Sequence, residues 1–154
     1  MQQSSNGKLE EGLRDRNQMK PQPRVTELSR PFWQGCNEDQ LFIQLCSKPD
    51  CAKHVFYPRV CCPFCKSDLL GWVKASGRGR VLSHTVVRRT HHDSFNGEAP
   101  YVFAAIEIEE GPCVYAQLPG APTDGTSLIG RTVVADFVPH GPGQKIVAFR
   151  LSEV

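Results

Sequence analysis

The amino-acid sequence predicts a mainly β protein in which a short helix and a cysteine-rich ribbon precede a small β-barrel. Three observations carry this prediction. Seven cysteines lie in a chain of only 154 residues, 13 Gly and 12 Pro are scattered as turn residues without a repeat, and the second half alternates β-rich runs with such turns. Frequent turn residues favour short strands over long helices. The length allows one ordinary domain or two very small ones.

Charge and hydropathy exclude several classes of protein. The formal net charge of +2 does not indicate a dedicated nucleic-acid-binding protein, and no apolar run approaches the length of about 18 residues that a membrane span needs. The first seven residues lack the charged-then-apolar order of a secretory signal. We therefore expect a cytoplasmic protein whose cysteines are kept reduced.

The chain divides into three segments. Residues 1–24 are polar and mixed in charge, and they offer little apolar surface to offset the entropy lost on ordering. We expect a flexible extension at 1–24, a helix and ribbon at 25–75, and a barrel domain at 76–154.

A short helix is predicted after Ser29, a suitable N-cap, with Pro31 in the first turn and Gly35 at its end. This helix carries Phe32 and Trp33 side by side, and two adjacent bulky rings cannot both face one small core. We therefore predict that at least one of these two aromatics contacts another molecule, and both are candidate exposed residues of an interface. The alternative is that both rings pack on the adjacent ribbon.

Short strands are predicted throughout the rest of the chain. Residues 41–45 and 69–75 form two strand candidates on either side of the cysteines. Five further β-rich runs follow Gly77, at 80–89, 101–108, 113–118, 132–138 and 145–151. Five strands with no helix-period segment between them indicate a five-stranded OB-fold barrel, with a sandwich fragment as the alternative. We expect a loop at 119–130, because its prolines and glycines disfavour a helix.

Four cysteines form two pairs on either side of a ten-residue span, 52–61, that suits a hairpin. The pairs are Cys46 with Cys51, and Cys62 with Cys65. Two such turns can close a tetrahedral site of four thiolates, so the sequence predicts one structural zinc ion in a rubredoxin-like ribbon. Iron suits the same ligands, and Cys61 is an alternative ligand to its neighbour. Cys36 is left without a role, and Cys113 is predicted to be a core residue.

The order of several short motifs resembles that of one known family. These motifs are Arg-Pro-Phe-Trp at 30–33, Phe-Tyr-Pro-Arg at 56–59, Cys-Pro-Phe-Cys at 62–65, Ser-Gly-Arg-Gly-Arg-Val at 76–81 and Ser-His-Thr-Val-Val at 83–87. From about residue 29 to residue 151 the chain resembles the zinc-ribbon/OB-fold proteins associated with acyl-CoA enzymes, long a domain family of unknown function. That family usually has C-x₂-C in its first cysteine pair, where this chain has two more residues.

The resemblance implies a non-catalytic, acyl-CoA-binding accessory subunit. In such complexes a thiolase-like subunit supplies the groups that make or cleave carbon–carbon bonds, and the OB-fold chain helps to form the channel for the CoA pantetheine arm. This sequence has no nucleophile elbow, phosphate loop or dinucleotide fingerprint. We therefore expect no catalytic residue on this chain, a thiolase-like partner, and CoA as a ligand shared with it.

A basic segment is compatible with CoA binding. From residue 78 to residue 92 the sequence has no acidic side chain, and Gly77 and Gly79 allow backbone amides to approach an anion. Guanidinium groups suit the phosphates of CoA. The candidate phosphate ligands are Arg78, Arg80, Arg88 and Arg89. The alternative is that these arginines face only water.

Two other functions fit the same modules. Ribbons and OB barrels also bind single-stranded nucleic acid, although Phe95 is the first aromatic after the basic segment and a stacking platform is missing within it. The second of these functions is electron transfer at an iron ion bound by four thiolates.

Overall fold

The computed structural model describes residues 19–152, so most of the extension expected at 1–24 lies outside the described residues. The elements are helix α1 (Arg30–Asn37), strands β1 (Phe42–Cys46), β2 (His54–Val55), β3 (Leu70–Lys74) and β4 (Arg78–Val87), a 3₁₀ turn (Asp93–Phe95), and strands β5 (Tyr101–Ile108), β6 (Cys113–Gln117), β7 (Thr132–Gly141) and β8 (Gln144–Leu151). Within 19–152 no helix is long and apolar enough to cross a membrane.

The ribbon is a three-stranded antiparallel sheet in the order β2-β1-β3. Strand β3 pairs along the whole of β1, from Phe42 opposite Lys74 to Cys46 opposite Leu70. The span 52–61 supplies only the two-residue strand β2, which pairs with β1. The expectation of a hairpin within this span is therefore wrong, because its strand residues pair outward with β1.

Helix α1 differs from its predicted form at both ends. The Ser29 hydroxyl accepts a hydrogen bond from the Thr26 backbone at 3.0 Å and caps no helical N–H. Gly35 does not end the helix, which continues to Asn37. A Cβ at Gly35 would lie 2.6 Å from the Phe42 ring and 2.7 Å from the Gln40 carbonyl oxygen. Glycine therefore stands there because the helix packs closely on β1.

The five-stranded OB-fold is confirmed. Its sheet has the order β6-β5-β4-β7-β8, every pair is antiparallel, and the segment 119–130 contains no helix. Side chains alternate along β5, where Val102, Ala104 and Ile106 are buried between more exposed neighbours. A register shift between Val81 and Ser83 interrupts the pairing of β4 with β5, and such bulges help a sheet to curve.

One hydrophobic core joins the ribbon segment to the barrel. Phe32, Cys36 and Ile43 from the first segment belong to the same buried cluster as Ile106 and Phe149 from the barrel. The helix is also tied to β8, because the Asn37 side-chain oxygen accepts a hydrogen bond from the Lys145 backbone at 2.8 Å. The boundary at 75 and 76 stays a prediction.

Candidate functional site

The four paired cysteines converge at one end of the ribbon. Cys46 is the last residue of β1, and the other three lie in the two turns that follow. The four sulfur atoms lie within 4.8 Å of one another, with 3.6 Å between Cys46 and Cys65 and 3.7 Å between Cys51 and Cys62. A tetrahedral ion with metal–sulfur bonds of about 2.3 Å needs sulfur atoms about 3.8 Å apart. The donor set therefore fits a metal ion such as zinc.

The two turns have the same backbone form despite their different lengths. In the first, the Ala52 amide donates to the Lys48 carbonyl at 3.0 Å, and Ala52 itself has a φ of 46°. In the second, the Lys66 amide donates to the Cys62 carbonyl at 2.9 Å, and Lys66 itself has a φ of 63°. A left-handed residue directly after the second cysteine of each pair turns both sulfurs to the same side.

The thiols of this cluster titrate differently. Burial raises the pKa of the Cys51 thiol to about 12. Burial also opposes ionisation of Cys62, but backbone N–H groups of Cys65 and Phe64 outweigh it, and they lower the pKa of Cys62 to about 7. These amides stabilise a thiolate, which is the form that binds a metal. Four thiolates complete a tetrahedral shell, so the cluster suits a structural ion.

The remaining cysteines lie outside this cluster. Cys61 is exposed and is not among the four converging sulfurs in the described part of the chain. Cys36 lies on the buried face of helix α1, and burial raises the pKa of its thiol to about 12. Cys113 begins β6 and is half-buried, beside a cavity of about 440 Å³.

A buried glutamine holds the span between the cysteine pairs. Gln44 is 3% exposed and is the only buried polar side chain in residues 19–152. Its side-chain amide donates to the Arg59 carbonyl at 3.0 Å, and its side-chain oxygen accepts from the Arg59 amide at 2.7 Å. Strand β2 ends at Val55, so residues 56–59 make no strand pairing with β1. The two side-chain bonds take the place of that pairing, and Gln44 thereby fixes the position of residues 56–59 beside the barrel.

Residues 56–58 form one wall of an aromatic groove. The groove has a volume of about 530 Å³ and lies where helix α1, the ribbon and strands β5, β6 and β8 meet. Its aromatic side chains include Phe32, Trp33, Phe56, Tyr57, Phe103 and Tyr115. Tyr115 is 56% exposed, and burial raises the pKa of the neighbouring Tyr57 phenol. The groove is open to solvent, and its lining is mainly apolar.

The two helix aromatics lie in different environments. Phe32 is only 7% exposed, and its ring packs against Trp33 at 4.9 Å and against Phe56 at 5.5 Å between centroids. The prediction that both rings are exposed is therefore wrong for Phe32, because the span 56–59 covers it. Trp33 is half-buried and lines the groove.

The four candidate arginines are not brought together. Arg78 pairs with Glu109 at 3.0 Å and Arg80 pairs with Glu107 at 3.4 Å, both across β4 and β5. Arg88 and Arg89 follow the opposite end of β4, and the backbone separation between Arg80 and Arg88 is at most about 26 Å, the length of eight extended residues. Two separate pairs of arginines therefore replace the single basic cluster that the sequence indicated.

Several residues of this region were missed in the sequence. Gln44 has no local signal, since its partner Arg59 lies 15 residues away. The groove joins Tyr57 to Tyr115 and to Arg24, and only the fold brings these segments together. Alternation along β5 and β6 was the one available signal, because it directs Phe103 and Tyr115 away from the barrel interior.

Comparisons with known proteins agree with this architecture. The sequence model described as "ChsH2, C-terminal OB-fold domain" matches residues 72–138. A solved chain titled "Ltp2-ChsH2(DUF35) aldolase" is 31% identical, with a TM-score of 0.73, over 84% of this chain and 98% of that chain. A DUF35-family structure from Sulfolobus solfataricus, with 13% identity and a TM-score of 0.57, shares the fold over 97% of this chain and 100% of that one.

Curated relatives extend the comparison. A probable enoyl-CoA hydratase alpha subunit from Thermomonospora curvata is 31% identical over 132 residues, which are 86% of this chain and 40% of that protein. A DUF35 domain-containing scaffold protein from Methanothermobacter thermautotrophicus is 39% identical over 77 residues, 49% of this chain and 57% of that protein. This chain thus spans about half the length of these first relatives. The corresponding scaffold protein from Methanocaldococcus jannaschii is 34% identical over 106 residues, 68% of this chain and 73% of that protein.

The fold and the site define a class of protein: an OB-fold barrel preceded by a short helix and a ribbon with four converging cysteines. The similarity covers most of the length of both a solved relative and a curated one. The chain belongs to the DUF35 family.

Proposed function

We propose that this chain is a non-catalytic, acyl-CoA-binding accessory subunit of a hetero-oligomeric thiolase-superfamily enzyme, which makes or cleaves carbon–carbon bonds in acyl-CoA. The observation that carries the proposal is the similarity to the Ltp2-ChsH2(DUF35) aldolase, whose name joins a DUF35 protein to a second component in one enzyme. The names of the scaffold proteins and of the enoyl-CoA hydratase subunit point in the same direction.

The motif resemblance leads to a more specific proposal. We propose that the complex is a benzoylsuccinyl-CoA thiolase of anaerobic toluene breakdown, with this chain as its small subunit and a thiolase-like chain as its catalytic subunit. We also propose that this complex lies in the cytoplasm, as the sequence led us to expect.

One structural Zn²⁺ is part of the proposal. Cys46, Cys51, Cys62 and Cys65 would hold it, since their sulfurs already have nearly the spacing of a tetrahedral site. The ion would supply cross-linking of the ribbon and no chemistry on the substrate. Residues 56–59 lie in the span between the two cysteine pairs, so the ion would hold both ends of the segment that contributes to the groove.

The groove and the arginines suggest where the partner and CoA make contact. Trp33 lies at the groove on the helix, and a partly exposed tryptophan is a frequent anchor of protein interfaces. Of the candidate phosphate ligands, Arg88 and Arg89 are the better placed, because Arg78 and Arg80 are paired with glutamates. The two pairs lie at opposite ends of β4.

The nucleic-acid alternative is not favoured. The relatives are named as enzyme subunits and scaffold proteins, and the basic segment 78–92 has no Phe, Tyr or Trp of its own. A stacking platform for single strands needs aromatic and basic side chains along the same path.

The test is a pull-down from native cell extract with the tagged full-length chain. We expect a thiolase-like subunit to co-purify, and Trp33→Ala to reduce its recovery at least tenfold because a central tryptophan contributes about 2 kcal/mol or more to such interfaces. Phe64→Ala is the matched control, since Phe64 is 63% exposed but lies outside the groove. Metal content and circular dichroism of all three proteins should agree.

The same complex allows a test of ligand binding. We expect saturable binding of CoA only when the second subunit is present. Undiminished assembly of Trp33→Ala would contradict the proposed interface, and salt-sensitive binding of an oligonucleotide at physiological ionic strength would contradict the proposed function.

A further inference from the structure

The aromatic groove has the size and lining of a small-molecule site. Its volume of about 530 Å³ lies within the range of about 300 to 1,000 Å³ that is usual for ligand pockets. It lies beside the edges of the barrel sheet, since β6 and β8 both contribute residues but do not pair with each other in the described part of the chain. Eight of its lining residues are aromatic. Flat rings therefore face the space from several sides.

A single charge borders this apolar space. Arg24 is the one charged side chain among the lining residues, and it has no ion pair with any residue from 19 to 152. The chain just before it is held in place. The Pro21 carbonyl accepts a hydrogen bond from the His140 ring at 2.8 Å, and Lys20 pairs with Glu98. Arg24 itself is exposed where it lines the groove, so its side chain is available to an anion.

We propose that this groove binds an aromatic carboxylate. The rings of such a ligand stack on the aromatic walls or meet them edge-on, and Tyr115, Tyr57 and Phe103 are the most accessible of these side chains. The carboxylate pairs with Arg24, which can bind it through two parallel hydrogen bonds. A neutral hydrocarbon would not pair with Arg24, and a cation would be repelled by it. The aromatic walls together with Arg24 therefore favour an aryl acid.

This inference deepens the proposed function. Only the identity of the natural ligand rests on that function. In the proposed complex the ligand is the acyl group of an acyl-CoA that carries an aromatic ring and a free carboxylate. A partner that contacts Trp33 would close the open side of the groove over it. Binding to the groove itself needs only this chain.

The experiment compares two matched probes on the full-length, metal-loaded chain. These probes are 2-naphthoate and its neutral isostere 2-naphthamide. Heteronuclear NMR detects the binding of each. The two tryptophan indole N–H signals report the location, because Trp33 lines the groove whereas Trp72 lies on β3 outside it. We expect naphthoate to shift the Trp33 signal, to leave the Trp72 signal in place, and to bind about tenfold more tightly than naphthamide.

Variants assign the difference to one side chain. Arg24→Gln should weaken the binding of naphthoate about tenfold, to the affinity of naphthamide, and should leave the affinity of naphthamide unchanged. Arg131→Gln removes an exposed arginine outside the groove and should change neither. Absence of binding, equal affinities of the two probes for the unaltered chain, or shifts that map to Trp72 would each overturn the inference.

The outcomes separate this inference from the proposed function. A chain that binds naphthoate through Arg24 but recovers no thiolase-like subunit supports the groove and rejects the accessory role. A chain that recovers the partner but binds both probes equally supports the accessory role and rejects the aryl-acid site. The groove is then part of the protein interface alone.

Discussion

At the scale of single residues, Gln44 shows how one side chain can organise a segment that has no regular structure. Its two hydrogen bonds to Arg59 satisfy a backbone amide and a carbonyl next to the groove. A buried polar group is stable only with such partners, because its desolvation is otherwise uncompensated. The same bonds bring residues 56–59 over Phe32, so the glutamine contributes to the core and to the groove.

Replacing Gln44 with methionine tests this role. Gln44→Met keeps the shape of the side chain but leaves the Arg59 amide and carbonyl without their partners, so we expect the free energy of unfolding to fall by about 2 kcal/mol. Urea unfolding followed by circular dichroism measures the change. Gln34→Met is the control, because Gln34 is exposed on helix α1. A stability equal to that of the control would show that water replaces the glutamine without cost.

The cysteine positions could be predicted from the sequence because metal ligands in paired turns are specified locally. Cys62 and Cys65 need only a tight turn to converge, and the longer first pair ends in the same left-handed turn. Gly35 could not be understood in this way. Its role depends on the Phe42 ring, seven residues on in the chain and on another element, so the local expectation of a helix end was wrong.

At the scale of elements, the ribbon is a small sheet whose strands are held at one end by the cysteine cluster. Strand β2 has two residues and β1 and β3 have five each. Sheets this small are marginal without additional stabilisation. Zinc binding of roughly 10 kcal/mol or more would be sufficient to order the two turns.

Serine substitutions of neighbouring cysteines distinguish the ligand from its neighbour. We expect Cys62→Ser to reduce the zinc content from one ion per chain to near zero, because a hydroxyl replaces one of four thiolates. Cys61→Ser should retain one ion, since Cys61 is exposed and its sulfur lies outside the cluster. Elemental analysis after gel filtration gives both values. Equal loss in the two variants would contradict the assignment of Cys62, and iron in the unaltered protein would contradict zinc.

At the scale of the whole molecule, the strands of the barrel followed from sequence patterns, whereas the groove did not. Alternation within one strand is a local property, and the five predicted runs lie close to the observed strands. The groove depends on how the helix, the span 56–59 and the barrel pack, and its residues come from five separate stretches of the chain. Such surfaces have no periodicity, so only the assembled fold reveals them.

The shared core predicts that the ribbon and the barrel unfold together. Phe32 belongs to the helix but packs in the same cluster as Phe149 of β8, so neither segment buries its apolar surface alone. Phe32→Ala should cost about 3 kcal/mol or more, which lowers the melting temperature of a chain of this size by about 10 °C. The exposed Phe64→Ala should change it little.

Two probes of one thermal transition decide whether the unfolding is shared. With cobalt in place of zinc, the thiolate absorption reports the cysteine cluster and circular dichroism reports mainly the barrel. We expect both signals to change at the same temperature, and Phe32→Ala to lower both by the same amount, because a single core couples the two segments. If the cobalt signal alone moved in Phe32→Ala, the ribbon would be an independent unit and the boundary at 75 and 76 would separate two folding domains.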